Sequence, residues 1–189
     1  MLKLLLLSCA LLSFAAEAGR SHIDFSDSAN RLAQQIVTKA YEKSGDNRFL
    51  TIKTWLKKYI GNYGFYSDSA SECQGSGINQ HSIGAWTNNG SSVAHICRSI
   101  FLYATSHGLA GKAKLAQVLI HEATHSSGIS NSVFGGKRDM RNECGATLLE
   151  YRAMKWGYGS NELNGYHKDC YSMGLFNVDS FKLPTRSRK

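Results

Sequence analysis

Leu119-Ile120-His121-Glu122-Ala123-Thr124-His125 sets two histidines four residues apart, with a glutamate directly after the first. On a helix, positions i and i+4 lie one above the other on the same face. Leu115, Val118 and Leu119 form an apolar helical face leading into the histidines, and Gly128 follows as a stop, so the pattern predicts a helix over 112–127. Two imidazoles at this spacing can reach one tetrahedral Zn²⁺. Glu122 projects from a neighbouring angle, close to such an ion but not on it. There it can take a proton from a water whose pKa zinc lowers to about 7. His121 and His125 are therefore the expected ligands of one catalytic Zn²⁺, and Glu122 is the expected general base.

These residues give the chain a resemblance to the zincin superfamily of zinc metallopeptidases. The likeness covers the motif helix and, more loosely, residues 93–156; it does not extend to the first half of the mature chain. It implies an α+β fold, with a small twisted sheet over an active-site helix and a mainly helical C-terminal part. It also implies hydrolysis of peptide bonds in a protein or peptide substrate. Within the superfamily, gluzincins take a third ligand from the next helix, often after an asparagine. Asn142-Glu143 opens a helix predicted over 142–156, which makes Glu143 the third ligand that this branch implies. Thr147 stands where the thermolysin-like pattern has an aspartate that orients a ligand histidine. Glu150, two turns beyond Glu143, reads as a solvated charge, a substitute ligand or a partner behind a ligand. A metzincin would carry a third histidine where Asn131 stands, although Gly128 matches that signature and Ser172-Met173 could imitate its methionine turn. An aspzincin-like reading rests on Ile96-Cys97-Arg98-Ser99-Ile100-Phe101 and would use Asp139.

A zinc hydrolase also needs a donor for the oxyanion. Tyr166-His167, in a last helix predicted from about 160 to 173, is the first choice, with Tyr151 and Tyr158 as alternatives. His22, His81, His95 and His107 have no ligand spacing and read as structural. The same parts would serve a zinc amidase acting on cell-wall or other amides. A catalytically inactive binding or inhibitor protein on a zincin fold would keep the helix but not need Glu122.

Upstream, Ser26-Asp27-Ser28 offers caps for a helix whose face is Leu32, Ile36, Val37 and Ala40 and which Gly45 stops. A second helix is predicted over 50–60, with Trp55, Leu56, Tyr59 and Ile60 as its apolar side. Gly, Ser, Asn and Tyr dominate 61–92, which is loop and hairpin chemistry. Val93-Ala94-His95-Ile96-Cys97 alternates weakly and is expected to be an edge strand beside the substrate cleft.

Met1-Leu2-Lys3, the apolar run Leu4–Ala16 and Ala16-Glu17-Ala18 read as a cleaved secretory signal over 1–18, leaving 19–189 as a single domain. The run is too short to span a bilayer, and no later stretch is long enough to do so. Cys73, Cys97, Cys144 and Cys170 then remain, as suits an exported chain. Of their three possible pairings, Cys73–Cys97 and Cys144–Cys170 is favoured, since each closes a loop of about 25 residues worth roughly 3 kcal/mol. No C-x-x-C spacing supports a four-cysteine zinc site. The net charge of +8 is spread along the chain, densest at Arg186-Ser187-Arg188-Lys189. Without a clustered basic and aromatic face, a nucleic-acid partner is not expected, and a monomer is.

Overall fold

The computed structural model describes residues 2–74, 84–135, 140–162 and 166–184, giving the backbone alone for residues 2–20, Glu72 and Val178. Eight helices and three short strands are described: α1 Leu2–Ser44, α2 Arg48–Tyr59, β1 Tyr63–Tyr66, α3 Ser71–Gln74, β2 Ala85–Trp86, β3 Ala94–Cys97, α4 Arg98–Ser106, α5 Gly108–Ser126, α6 Ile129–Phe134, α7 Met140–Ala153 and α8 His167–Ser172. A π-helical turn, Met154–Tyr158, continues α7, and a 3₁₀ turn, Val178–Phe181, follows α8. The architecture is α+β and mainly helical.

Helix α1 does not start at Ser26-Asp27-Ser28; those residues lie inside it. Leu and Ala are strong helix formers, so the apolar run upstream gives the helix no reason to stop. Asp27 is engaged elsewhere: its Oδ1 accepts from Gly61 N at 3.0 Å and from the Tyr63 hydroxyl at 2.9 Å, tying α1 to the start of β1. The buried face of α1 is Ala29, Ala33, Ile36, Val37 and Ala40. It packs against α2, α5 and the π-helical turn. Helix α2 buries Phe49, Ile52, Leu56 and Tyr59, while the expected Ile60 lies past its end, in the surface.

The sheet has the order β1-β3-β2, with β1 parallel and β2 antiparallel to β3. The expected edge strand is thus the central one. Its weak alternation has a physical cause: Ala94, Ile96 and Cys97 are all fully buried, and a strand covered on both faces loses the period of two. The edge strand that contacts α5 is β2.

Helix α5 runs through the main core, where Leu115, Ala116, Leu119, Ile120 and Ala123 meet α1, α2 and β3 side chains. A smaller core gathers Cys144, Leu148, Cys170 and Phe176 beneath α7 and α8. Disulfides join Cys73 to Cys97 and Cys144 to Cys170, the favoured pairing. The first ties α3 to the end of β3, and the second ties α7 to α8. Among the described residues, no helix is long and apolar enough to cross a membrane.

Peptide mapping without reduction is expected to recover these two pairs and no crossed pair. Removing the second bridge by Cys144→Ser/Cys170→Ser should lower the unfolding free energy by about 3 kcal/mol, the loop-entropy value, in urea titration. A loss under about 1 kcal/mol would show that the small core holds α8 in place without the bridge.

Candidate metal centre

The site is built where α5 meets α7. Glu143 faces His121 and His125, while Glu150 faces Gln117 and His121. Partner numbers rise on one helix as they fall on the other, so the two helices run antiparallel. Gly128, at φ 70°, ends α5 in a left-handed turn that glycine adopts without strain. The chain then enters α6, and α6 packs closely on α7 at Gly145, where a Cβ would collide with the Ser130 carbonyl oxygen. These two glycines set the return path that brings Glu143 back over the histidines.

His121 Nε2 lies 3.1 Å from His125 Nε2 and 3.3 Å from Glu143 Oε2. His125 Nε2 lies 3.4 Å from the same oxygen. Around a tetrahedral ion with bonds of about 2.0–2.1 Å, ligand atoms stand roughly 3.3–3.4 Å apart. The triangle therefore has the edges that a single small cation requires. Hydrogen bonds alone satisfy it poorly. If both Nε2 atoms donate to Glu143, the two N–H groups confront one another across 3.1 Å. His121, His125 and Glu143 could hold a metal ion.

The imidazoles are oriented from behind. Glu150 Oε2 lies 2.9 Å from His121 Nδ1, and a carboxylate can only accept, so Nδ1 carries a proton and donates it to Glu150, which turns the Nε2 edge of the ring to the cluster. Ser130 Oγ makes a longer contact, 3.4 Å, with His125 Nδ1. Glu150 is thus the partner behind His121, the third of the readings open for it in the sequence. Thr147 is buried on the same helix, one turn before Glu150.

Electrostatics follow from this crowding. Burial opposes a charge on His121, but its hydrogen bonds to Glu143 and Glu150, with the charges of Glu150 and Glu122, raise its pKa well above the ordinary imidazole value. Burial likewise opposes a charge on Glu143, and the two histidines nonetheless hold its carboxyl well below the usual carboxylate range. Glu122 behaves in the opposite way. Burial, aided by the nearby charges of Glu143 and Glu150 and resisted by His121, pushes it up to about 8. It has no hydrogen-bond partner among the described residues, so burial acts on it without the relief that the two histidines give Glu143.

The two members of the Tyr166-His167 pair part company. The Tyr166 ring lies parallel to that of His121, centroids 6.2 Å apart. Burial and the charges of Glu143, Glu122 and Asp169 push its phenol up to about 12. His167 instead packs among Tyr151, Tyr171, Phe176 and Phe181, where burial lowers its pKa. Consecutive residues at a helix start point in directions roughly 100° apart, so only one of them can face α5. The last helix itself is shorter than expected and does not include Ser160-Asn161-Glu162. Tyr151 belongs to the same aromatic cluster as His167, and Tyr158 is 46% exposed. Asn131 sits half-buried on α6, its Oδ1 without a partner among the described residues. Asp139 and His81 lie outside the described residues. His95 and His107 stack on Trp86 and Tyr103, and His22 meets Phe101 at a tilt, in keeping with structural roles. Gln117 was not singled out in the sequence, yet its spacing of four from His121 on a buried face is the pattern that could have marked it.

Comparison with protein-family models, with curated proteins and with solved structures finds no match to this chain. The site therefore has to be argued from its own geometry.

The purified protein is expected to take up one divalent cation per chain in a chelator-competition titration. Glu143→Ala removes a ligand and should abolish tight uptake. Glu150→Ala leaves the three ligand atoms but frees the His121 ring, and should weaken binding about 10–100-fold. A wild-type chain that takes up no cation would refute the grouping as a metal centre.

Proposed function

We propose that this protein is a secreted zinc metallopeptidase of the zincin type, with α5 as its active-site helix and β2 as the strand beside the cleft. The observation that carries the reading is the triangle of 3.1–3.4 Å formed by His121, His125 and Glu143, beside a buried glutamate with no hydrogen bond among the described residues. Three protein ligands leave a fourth position open, as catalytic zinc sites do and structural ones do not. Two imidazoles and one carboxylate suit zinc better than calcium or magnesium, which prefer all-oxygen shells.

Zinc bound there supplies a Lewis acid that polarises the scissile carbonyl and acidifies water. The rest is done by side chains. His121 and His125 keep their Nε2 lone pairs aimed at one point, because Glu150 and Ser130 occupy the far sides of the rings. Glu122 accepts the proton of the attacking water and returns it to the leaving amine. A bound cation would favour its ionised form and so leave it ready to take that proton. The phenol of Tyr166 stays protonated at neutral pH and so remains a hydrogen-bond donor for the developing oxyanion. The substrate is a protein or peptide. The chain acts as a monomer after loss of residues 1–18.

Glu122→Gln keeps nearly the same shape and removes the base. The variant should retain its zinc and lose about 10²–10⁴-fold in the rate of cleavage of an unstructured protein. Tyr166→Phe should lower kcat by about 10²–10³-fold with the zinc content unchanged. Near wild-type cleavage by Glu122→Gln would sink the catalytic reading and leave a binding protein on a metal-holding scaffold.

A further inference from the structure

Behind His121 lies a chain of polar side chains that ends at the protein surface. Lys114 Nζ donates to Gln117 Oε1 at 3.1 Å. Gln117 Nε2 donates to Glu150 Oε1, and His121 Nδ1 donates to Glu150 Oε2 at 2.9 Å. Gln117 and Glu150 are each 2% exposed, so bulk water does not replace any of these bonds. Lys114, Gln117 and His121 stand three and four residues apart, on one stripe of α5. A glutamine is otherwise out of place on a stripe flanked by Leu115, Ala116, Leu119 and Ile120 in the core.

We propose that Gln117 is a positioning residue for the metal centre: its amide clamps one oxygen of Glu150, so that the other oxygen stays on His121 Nδ1–H and His121 Nε2 stays turned to the cation. The inference rests on the reading of His121 as a metal ligand. Without that clamp, Glu150 loses the buried bond that fixes its Oε1, and the hold of its Oε2 on the imidazole loosens with it. The amide suits the place because it is bipolar. Its carbonyl receives the Lys114 ammonium while its NH₂ serves Glu150, so the partial charges alternate from the surface to the ligand nitrogen. A carboxylate at 117 would face Glu150 with like charge, and an apolar side chain would remove the buried bond to Oε1 of Glu150.

The test is Gln117→Met, which keeps the length of the side chain and removes both polar atoms. Zinc affinity, measured by chelator competition, should fall about 10–100-fold, the usual range for loss of a partner behind a ligand. In the metal-free protein, the His121 Nδ1 proton should be visible by NMR in the wild type and lost to exchange in the variant. This second readout needs no metal, so it separates failure of the clamp from failure of the metal reading. A variant with wild-type affinity and an unchanged Nδ1 resonance would overturn the proposal. The swap Gln117→Glu/Glu150→Gln supplies the rescue. There the amide now at 150 accepts from His121 with its carbonyl and donates to the carboxylate now at 117, which pairs with Lys114. The swap should keep the Nδ1 resonance and hold zinc within a few-fold of wild type, as a purely space-filling role for Gln117 would not predict. If Gln117→Met fails to fold, the swap carries the test alone: a folded swap with affinity reduced 100-fold would overturn the proposal.

Discussion

Gln117, His121, Glu122, Thr124 and Ser126 are all buried on α5, and a polar group taken out of water must find a partner or weaken the fold. Most of the architecture around α5 answers that demand. Thr124 Oγ1 turns back to the Ile120 carbonyl at 2.8 Å. Ser126 Oγ meets the Tyr59 hydroxyl at 2.6 Å and Thr87 Oγ1 at 3.0 Å, which fastens α2 and the loop after β2 to the end of the motif helix. Burial drives the Tyr59 phenol upward, so it stays a neutral hydroxyl in that junction. Gln117 and His121 are served from the other side by Glu150. Helix α7 is held against α5 by these bonds as much as by its apolar residues, and the Cys144–Cys170 bridge then anchors α8, with Tyr166 just before it, to α7.

Glu122 stands apart from this pattern. Its carboxyl is buried, and among the described residues the charges acting on it are those of His121, Glu143 and Glu150. An apolar residue there would avoid the desolvation cost.

How much of this was legible in sequence depends on the range of each interaction. His121, Glu122 and His125 are fixed by helical geometry alone, which acts over four residues. Glu143 followed from a resemblance, and its meeting with the histidines needed the antiparallel return of α7 that Gly128 and Gly145 permit. The role of Glu150 was one of three open readings, since helical spacing puts Glu143 and Glu150 on one face without saying what lies opposite. Likewise, nothing local distinguishes Tyr166 from His167; the rings of Phe176, Phe181 and Tyr171 surround His167, while Tyr166 packs against the smaller core and lies nearly parallel to the His121 ring. The caps offered at Ser26–Ser28 misled for the opposite reason. Asp27 has a long-range partner in Tyr63, and a distant hydroxyl outcompeted the local backbone. The position of β3 in the sheet depends on which strands join it, and the two-residue β2 is too short to carry a pattern.

The remaining question is whether the cluster could be an ion-pair network kept for stability. Three carboxylates, Glu122, Glu143 and Glu150, act on His121 within one buried region. With Glu122 protonated at neutral pH, two imidazolium ions would balance Glu143 and Glu150, and two neutral imidazoles would leave two net negative charges. Among the described residues, Lys114 reaches the region through Gln117. Buried ionic groups of this kind are usually no more stable than apolar residues of the same volume, and an uncompensated charge among them is strongly unfavourable. A divalent cation within the 3.1–3.4 Å triangle would supply the positive charge without any proton on either Nε2 atom. The 3.1 Å approach of the two Nε2 atoms, which two N–H donors would share badly, is the geometry that favours a cation over an ion pair at the meeting of α5 and α7.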